Sequence, residues 1–327
     1  MSESVLVTGA SGFLGYHIIL SALEKKLLVY AAIRKNSNVD HLKNFPVKYL
    51  FLDYNNVDEL SKVLVENKIH FIIHVAGVTK ALRQHHYNDI NAVNSVNLAK
   101  AAEKIGTSFG KMVFISSLAA VGPAMDLAGV ITEQSNPRPV TAYGKSKLLA
   151  EIELSKINIP LIILRPTAIY GPRDKDIFIM LKTVSRGFDP YMGKFLQQLS
   201  FVYAGDVSDV AVQALFVDKE GVYNISDGNS YKRYEFADIT KKILNKKAVR
   251  FHIPMPLVKL LAYFLETTSR WLNKPAVINR EKLYELTASN WFCDISKARK
   301  DLNFNPKFSL TEGLKDSIAW YQKNKLL

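Results

Sequence analysis

Short apolar, β-branched runs recur through the first half of the chain, at Val5 to Thr8, Leu28 to Ile33, Val47 to Leu52, Phe71 to Val75, Met112 to Ser116 and Ile159 to Leu164. They are nearly continuous rather than alternating, which is the pattern of strands buried on both faces. Between them lie helical patterns at Gly15 to Leu23, Val57 to Glu66, Asn91 to Lys104 and Tyr143 to Lys156. Strand alternating with helix predicts right-handed βαβ units, which assemble into an α/β fold with a doubly wound parallel sheet.

The regularity breaks after Arg165, where Pro166, Gly171-Pro172, Gly187, Pro190 and Gly193 punctuate a mixed stretch. Phe201 to Ala204 and Gly221 to Ile225 are strand-like and are expected to return to the sheet, while Asp227 to Leu327 reads mainly as helices with loops. The expected division is a sheet domain of residues 1–165 plus about 201–226, and a smaller, mainly helical lobe of 166–200 plus 227–327 over the C-terminal edge of the strands.

Composition narrows the class. The chain has 327 residues, 48% of them hydrophobic and 22% charged, which is the balance of an ordinary globular protein and not of a disordered one. Its single cysteine, Cys293, forms no internal disulfide and fits a reducing compartment. Met-Ser-Glu-Ser leads directly into the first strand pattern without the basic segment and apolar core of a secretory signal, so a cytoplasmic location is expected. The longest apolar stretch, Ile253 to Leu265, is interrupted by Pro254, Pro256 and Lys259. It is shorter than the roughly 20 residues of a spanning helix, and no transmembrane span is expected. The net charge of +13 is spread over scattered lysines without a long block, so no nucleic-acid partner is expected.

Thr8-Gly-Ala-Ser-Gly-Phe-Leu-Gly15 follows the first strand and opens a helix. In that setting Gly9 permits a tight turn, Gly12 lets the backbone approach a pyrophosphate, and Gly15 allows close helix–strand packing. The anion would sit at the positive end of the helix dipole. The second strand ends Ile33-Arg34-Lys35, with no carboxylate in the slot that holds the ribose 2′-hydroxyl of NAD, so NADP is favoured and NAD stays open. Arg34 and Lys35 are also compatible with a solvated loop pair, or with arginine stacking on adenine. Asp53, just past the third strand, is placed to accept the adenine amino group, although an ordinary turn aspartate looks the same.

Tyr143-Gly-Lys-Ser-Lys147 puts a tyrosine and a lysine four apart on one helix face. A phenol with a pKa near ~10 is a poor base at neutral pH, and a neighbouring ammonium favours the phenolate. Ser116-Ser117 ends the fifth strand, where open parallel sheets bind ligands, and Ser117 is placed to orient a substrate oxygen. His85, His86 and His252 lack carboxylate or cysteine partners at ligand spacing, and the Asp206 to Asp209 run lacks the glycine of a calcium loop, so no metal is expected.

Taken in order, TGASGFLG from Thr8, HVAG from His74, NAVNSVNLAKAA from Asn91, FISSLAAVG from Phe114 and YGKSK from Tyr143 resemble an extended short-chain dehydrogenase/reductase. The resemblance continues through LRPTAIYGP from Leu164, FVYAGDV from Phe201, VYNISDG from Val222 and CDISKARKDLNFNP from Cys293. It implies a Rossmann-type sheet, with Tyr143 as acid–base group, Lys147 as its activator and ribose ligand, and Ser117 as partner of the substrate oxygen. It also implies cofactor contacts from Gly9, Gly12, Phe13, Leu14, Gly15, Arg34, Asp53, Ala76 and Pro166, mostly structural roles for Asn91 and Asp206, and a homodimer formed through the helices after Asn91 and Tyr143.

Within that superfamily the pattern is most similar to the 3β-hydroxysteroid dehydrogenase and dihydroflavonol reductase branch, which implies interconversion of an alcohol and a carbonyl. Leu199 stands where nucleotide-sugar epimerases often carry an arginine for pyrophosphate, and leucine cannot form that pair. The apolar stretch Ile253 to Leu265, followed by Trp271-Leu272, is either a helix packed on the lobe's core or a pocket wall or membrane contact suited to an apolar substrate. Leu118, Tyr191, Met192 and Tyr203 are candidate pocket residues. The rival readings are a nucleotide-sugar epimerase or dehydratase with tightly held NAD, and a dinucleotide sensor without chemistry.

Overall fold

A computed structural model describes residues 3–271 and 280–327. Seven strands build the central sheet: β1 (Ser4–Thr8), β2 (Leu28–Ala32), β3 (Val47–Leu50), β4 (Phe71–His74), β5 (Lys111–Ile115), β6 (Leu161–Pro166) and, later in the chain, Gly221–Ile225. The last of these is numbered β11, after β7 (Ala168–Tyr170), β8 (Phe188–Met192), β9 (Gln198–Leu199) and β10 (Phe201–Tyr203). The order is β11-β6-β5-β4-β1-β2-β3, with every neighbouring pair parallel. This is the doubly wound sheet expected, and its order reverses between β1 and β4, where such folds open a crevice beyond the strand ends.

Alternation along each strand divides the core in two. Val5 and Val7 face one layer with α1 (Phe13–Glu24) and α7 (Ala204–Gln213), where Ile18, Ile19 and Val210 are buried. Leu6, Ile72 and Phe114 face the other, against Leu60 of α2 (Val57–Glu66), Leu98 of α4 (Asn94–Glu103) and Ala150 of α5 (Ala142–Leu154). Between the short α3 (Gln84–Asn88) and α4 the backbone widens into a π-helical turn at Asp89–Val93.

Three expectations need correction. The third strand is not buried on both faces: it is the sheet edge, it ends at Leu50, and Lys48 and Tyr49 are exposed. Phe201 to Tyr203 does not rejoin the main sheet, because Gly221 to Ile225 occupies the free edge of β6; β10 pairs with β7 in a separate two-stranded ladder. The tail also does more than build the lobe, since Cys293, Ile295, Ala298 and Leu302 lie in the same core as β1 and α1.

The lobe carries α6 (Asp176–Ser185), β12 (Tyr231–Lys232), α8 (Glu235–Leu244), β13 (Val249–Ile253), α9 (Met255–Trp271) and α10 (Arg280–Thr287). α11 (Ser296–Leu302) leads back to the sheet and α12 (Leu310–Lys323) closes the chain. Tyr170, Phe201, Phe236 and Leu314 form the lobe's own core. Leu272, the end of the apolar segment read from the sequence, lies outside the described residues. Among the described residues no helix is long and apolar enough to cross a membrane.

Candidate active site

The glycine turn is a cradle that side chains would fill. Gly9 has φ +63°, and a Cβ there would stand 2.9 Å from the Ala76 nitrogen; at Gly15 it would stand 2.2 Å from the Gly9 carbonyl oxygen. α1 starts with Gly12 as its N-cap, without a side-chain cap and without an acidic residue in its first turn. Its leading N–H groups are left for an anion, as pyrophosphate binding requires. Phe13 stands on that first turn, edge-on to His17, and Leu14 beneath it is buried.

A hydrogen-bond chain ties this turn to the helix carrying Tyr143. Thr8 Oγ1 accepts the Val75 and Ala76 N–H groups, both at 3.0 Å, and donates to His74 Nδ1 at 2.8 Å. Burial pushes the His74 pKa down to about 3, with the nearby Lys147 charge acting the same way, so the ring is neutral. The network assigns its remaining proton to Nε2, which donates to Ser95 Oγ at 2.9 Å. Ser95 in turn donates to the Asn91 carbonyl at 2.8 Å. The Asn91 amide clamps both backbone groups of Val78, at 2.8 and 3.0 Å, and donates to Ser146 Oγ, which donates to the Tyr143 carbonyl. Asn91 lies buried within the π turn.

Ser117, Tyr143 and Lys147 come together around one cavity of about 260 Å³, shared with Leu14, Gly77, Pro166 and Thr167. Thr141 caps α5 by accepting the Gly144 N–H at 3.0 Å, which fixes the turn carrying Tyr143. Ser117 caps the turn Leu118–Ala120, accepting from Ala119 N at 3.2 Å. Beneath them Glu151 forms a buried fork with Arg165, at 2.5 to 3.1 Å, and accepts from Ser116 Oγ, pinning α5 to β5 and β6. Thr167 Oγ1 is buried without a hydrogen-bond partner among the described residues, a polar atom left for a ligand in this cavity.

Burial governs the electrostatics of the set. Lys147 Nζ donates to the Ile115 carbonyl at 2.8 Å and lies 4.6 Å over the Phe114 ring. Burial pushes its pKa down to about 8. The Tyr143 phenol is pushed up to about 12 by burial, with Ser117 acting in the opposite direction. In this state the pair holds a protonated phenol, the form that donates.

The outer end of the crevice is more open. Arg34 is exposed after β2, its N–H bonded to Ser37 Oγ at 3.1 Å. Asp53 is exposed and accepts from the Asn55 N–H at 3.0 Å in an Asx turn. Asp206 ties α7 to the chain before α12, accepting from Lys307 and Phe308 N–H at 3.0 and 3.1 Å. Of the four pocket candidates, none lines the cavity. Leu118 is core, Tyr203 bonds Asp316, Tyr191 packs edge-on to Tyr234, and Met192 meets Val258 and Ala262. Thr79, Thr167 and Ile169 form the wall instead.

Arg173, not singled out in the sequence, stands in the loop that overlies α1. It stands at φ +75° in the loop after β7, and its guanidinium lies 4.6 Å over the Tyr16 ring on the first turns of α1. His17 Nε2 donates to the adjoining Pro172 carbonyl at 2.9 Å, so this loop lies directly over the start of α1. Arg173 has no carboxylate at ion-pair distance among the described residues. The signal available in the sequence was the Gly171-Pro172-Arg173 turn, which follows the ligand-binding end of a strand.

A parallel sheet in this order, with a tight glycine turn after β1 and Ser117, Tyr143 and Lys147 around one cavity, defines a Rossmann-type fold with a crevice at the ends of its strands. Residues 5–226 match the NAD dependent epimerase/dehydratase family, and the chain belongs to that family, within the extended short-chain dehydrogenases/reductases. It is 27% identical over 341 residues to sterol-4-alpha-carboxylate 3-dehydrogenase, decarboxylating, of Schizosaccharomyces pombe, covering 99% of this chain and 98% of the relative. It is 26% identical over 340 residues to a UDP-glucose 4-epimerase of Vibrio cholerae, covering 99% and 97%. Among solved structures, dTDP-glucose 4,6-dehydratase of Bacillus anthracis in complex with NAD superposes with a TM-score of 0.78 at 20% identity, covering 99% of this chain and 98% of that one, a likeness of fold.

Proposed function

We propose that the protein interconverts an alcohol and a carbonyl on a small substrate of apolar character, using a nicotinamide dinucleotide, with NADP preferred over NAD. The observation that carries this reading is the meeting of Ser117, Tyr143 and Lys147 on one cavity, where Lys147 is the one cation among the described lining residues. Ser117 donates a hydrogen bond to the substrate oxygen, and Tyr143 gives that oxygen its proton on reduction and removes it on oxidation. Lys147, released from the Ile115 carbonyl, supplies the positive charge that brings the phenol toward neutral pH.

The fit to a dinucleotide rests on the Gly9, Gly12 and Gly15 cradle, the uncapped α1 and the unpartnered Thr167 hydroxyl. Phe13, Leu14, Ala76, Tyr143, Lys147 and Pro166 would hold its inner part, with Arg34, Asp53 and Arg173 at the adenosine end. Bound there, the cofactor supplies or accepts the hydride. NADP preference is supported by Arg34, exposed at the end of β2, and by Arg173 over the Tyr16 ring of α1, two cations without carboxylate partners among the described residues.

The relative from Vibrio cholerae favours a second reading, nucleotide-sugar epimerisation, against which stands the leucine at position 199. One experiment separates them: titration of the purified protein with NADPH and NADH, followed by a panel of apolar ketones and nucleotide sugars. Selective NADPH binding with ketone turnover is the expected result. Retained NAD with nucleotide-sugar turnover would overturn it.

A further inference from the structure

The ladder of β8 and β13 is built inside out. Its pairs Phe188↔Val249, Pro190↔Phe251 and Met192↔Ile253 share one face, and Asp189↔Arg250 and Tyr191↔His252 share the other. The polar face is turned inward: Asp189 is only 2% exposed and accepts from both Lys241 and Arg250, while Tyr234 bonds His252. The apolar face is turned outward, with Val249 70% and Phe188 55% exposed. A half-buried sheet ordinarily does the reverse.

α9 continues this face. Met192, on the outward side of the ladder, is covered by Val258 and Ala262, so the helix lies on the same side as Phe188, Val249 and Phe251. The opposite ridge of α9, formed by Leu257, Leu260, Leu261 and Phe264, points to solvent, with Leu260 65% and Phe264 62% exposed. Ladder and helix join through Pro254 into one apolar surface, of the kind that marks an interaction site. The segment that carries most of this surface is basic. From Asp238 to Glu266 the chain has no intervening carboxylate and six lysines and arginines. Lys241 and Arg250 are engaged with Asp189 and Asp238, whereas Lys246, Lys247 and Lys259 are exposed.

We propose that this surface docks on an anionic lipid bilayer, the apolar ridge entering the headgroup boundary and the lysines meeting lipid phosphate. An apolar stripe with a basic margin has affinity for such a surface, and a second copy of the chain would bring like charges together. The docking deepens the proposed function by placing the enzyme where an apolar alcohol or ketone partitions, and only that link rests on the proposed reaction.

The test is flotation of the full chain with phosphatidylcholine vesicles, with and without phosphatidylglycerol, at low and high salt. The chain is expected to float with the anionic vesicles and to be released by salt. Combined L257S, L261S and F264S substitutions, and separately K246E with K247E, are each expected to lower vesicle partitioning by about tenfold or more while leaving turnover of a water-soluble ketone unchanged. Flotation absent from both vesicle types, or equal in both, would overturn the proposal. So would light scattering that shows a wild-type dimer and a monomeric triple-serine variant, which would assign the face to a second copy. Docking without ketone turnover leaves the surface standing and removes the reaction; turnover without docking does the opposite.

Discussion

The crevice end of the sheet and the ladder of β8 and β13 handle polar groups in opposite ways. Around Tyr143 the buried polar atoms run from Thr8 through His74, Ser95 and Asn91 to Ser146 in a linked chain, surrounded by apolar strands. In the ladder, charged groups pair on the inner side and the apolar side chains face out. Burying polar atoms is tolerable in both places because partners are supplied, but only the second leaves apolar area unburied. The sheet's apolar residues are spent on the fold, whereas many of the ladder's stay exposed to solvent.

Substitutions at the two places are expected to have unequal effects. The largest effect is expected at the crevice, where Tyr143→Phe should lower turnover by about a thousandfold while leaving dinucleotide affinity nearly unchanged, measured by steady-state rates and fluorescence titration. In the ladder, Asp189→Ala should cost about 3 kcal/mol in urea melts, since it leaves Lys241 and Arg250 without their shared buried partner.

Lys147→Met should remove activity yet stabilise the fold at pH 7 by about 1–3 kcal/mol. Lys147 titrates near 8 when folded against 10.5 as an ordinary lysine, because burial disfavours its charge. Between those values the unfolded chain holds more protons, so wild-type stability should rise with pH. Below 8 the cost of the buried charge is fully present, and the advantage of the methionine variant should shrink toward pH 10 in paired melts. Arg173→Gln should weaken NADPH binding by about fivefold to tenfold, as loss of one phosphate contact implies, with the deficit reduced by salt. Val249→Thr, at a position 70% exposed, should change stability by no more than about 0.5 kcal/mol, and a large loss would show that the ladder's outer face is covered after all.

The elements that were legible in the sequence depend on near neighbours. The glycine turn, the helix over Val57–Glu66 and the four-residue spacing of Tyr143 and Lys147 are set within a few residues, and the structure places all of them as expected. The direction of Lys147 was not legible, because the carbonyl that holds it belongs to Ile115 on a strand 32 residues away. Pairing of β10 with β7 was missed for a related reason: periodicity identifies a strand but not its partner. The same limit hid the ladder's inversion, since Val249, Phe251 and Ile253 alternate with Arg250 and His252 in a pattern that reads identically whichever side faces water.

The return of the tail to the sheet bears on how such a protein can be recombined. Phe292 and Asp294 exchange backbone hydrogen bonds with Ile131, and Asn290 binds the Asp126 and Gly129 carbonyls, while Ala298 and Leu302 fill the core beside α1. The stretch that matches the family stops at 226, so it holds one side of these contacts and not the tail residues that complete them. A chimera joined there would ask a foreign tail to complete the host's interior, so exchanging the tail between relatives means exchanging the seam at 124–131 as well.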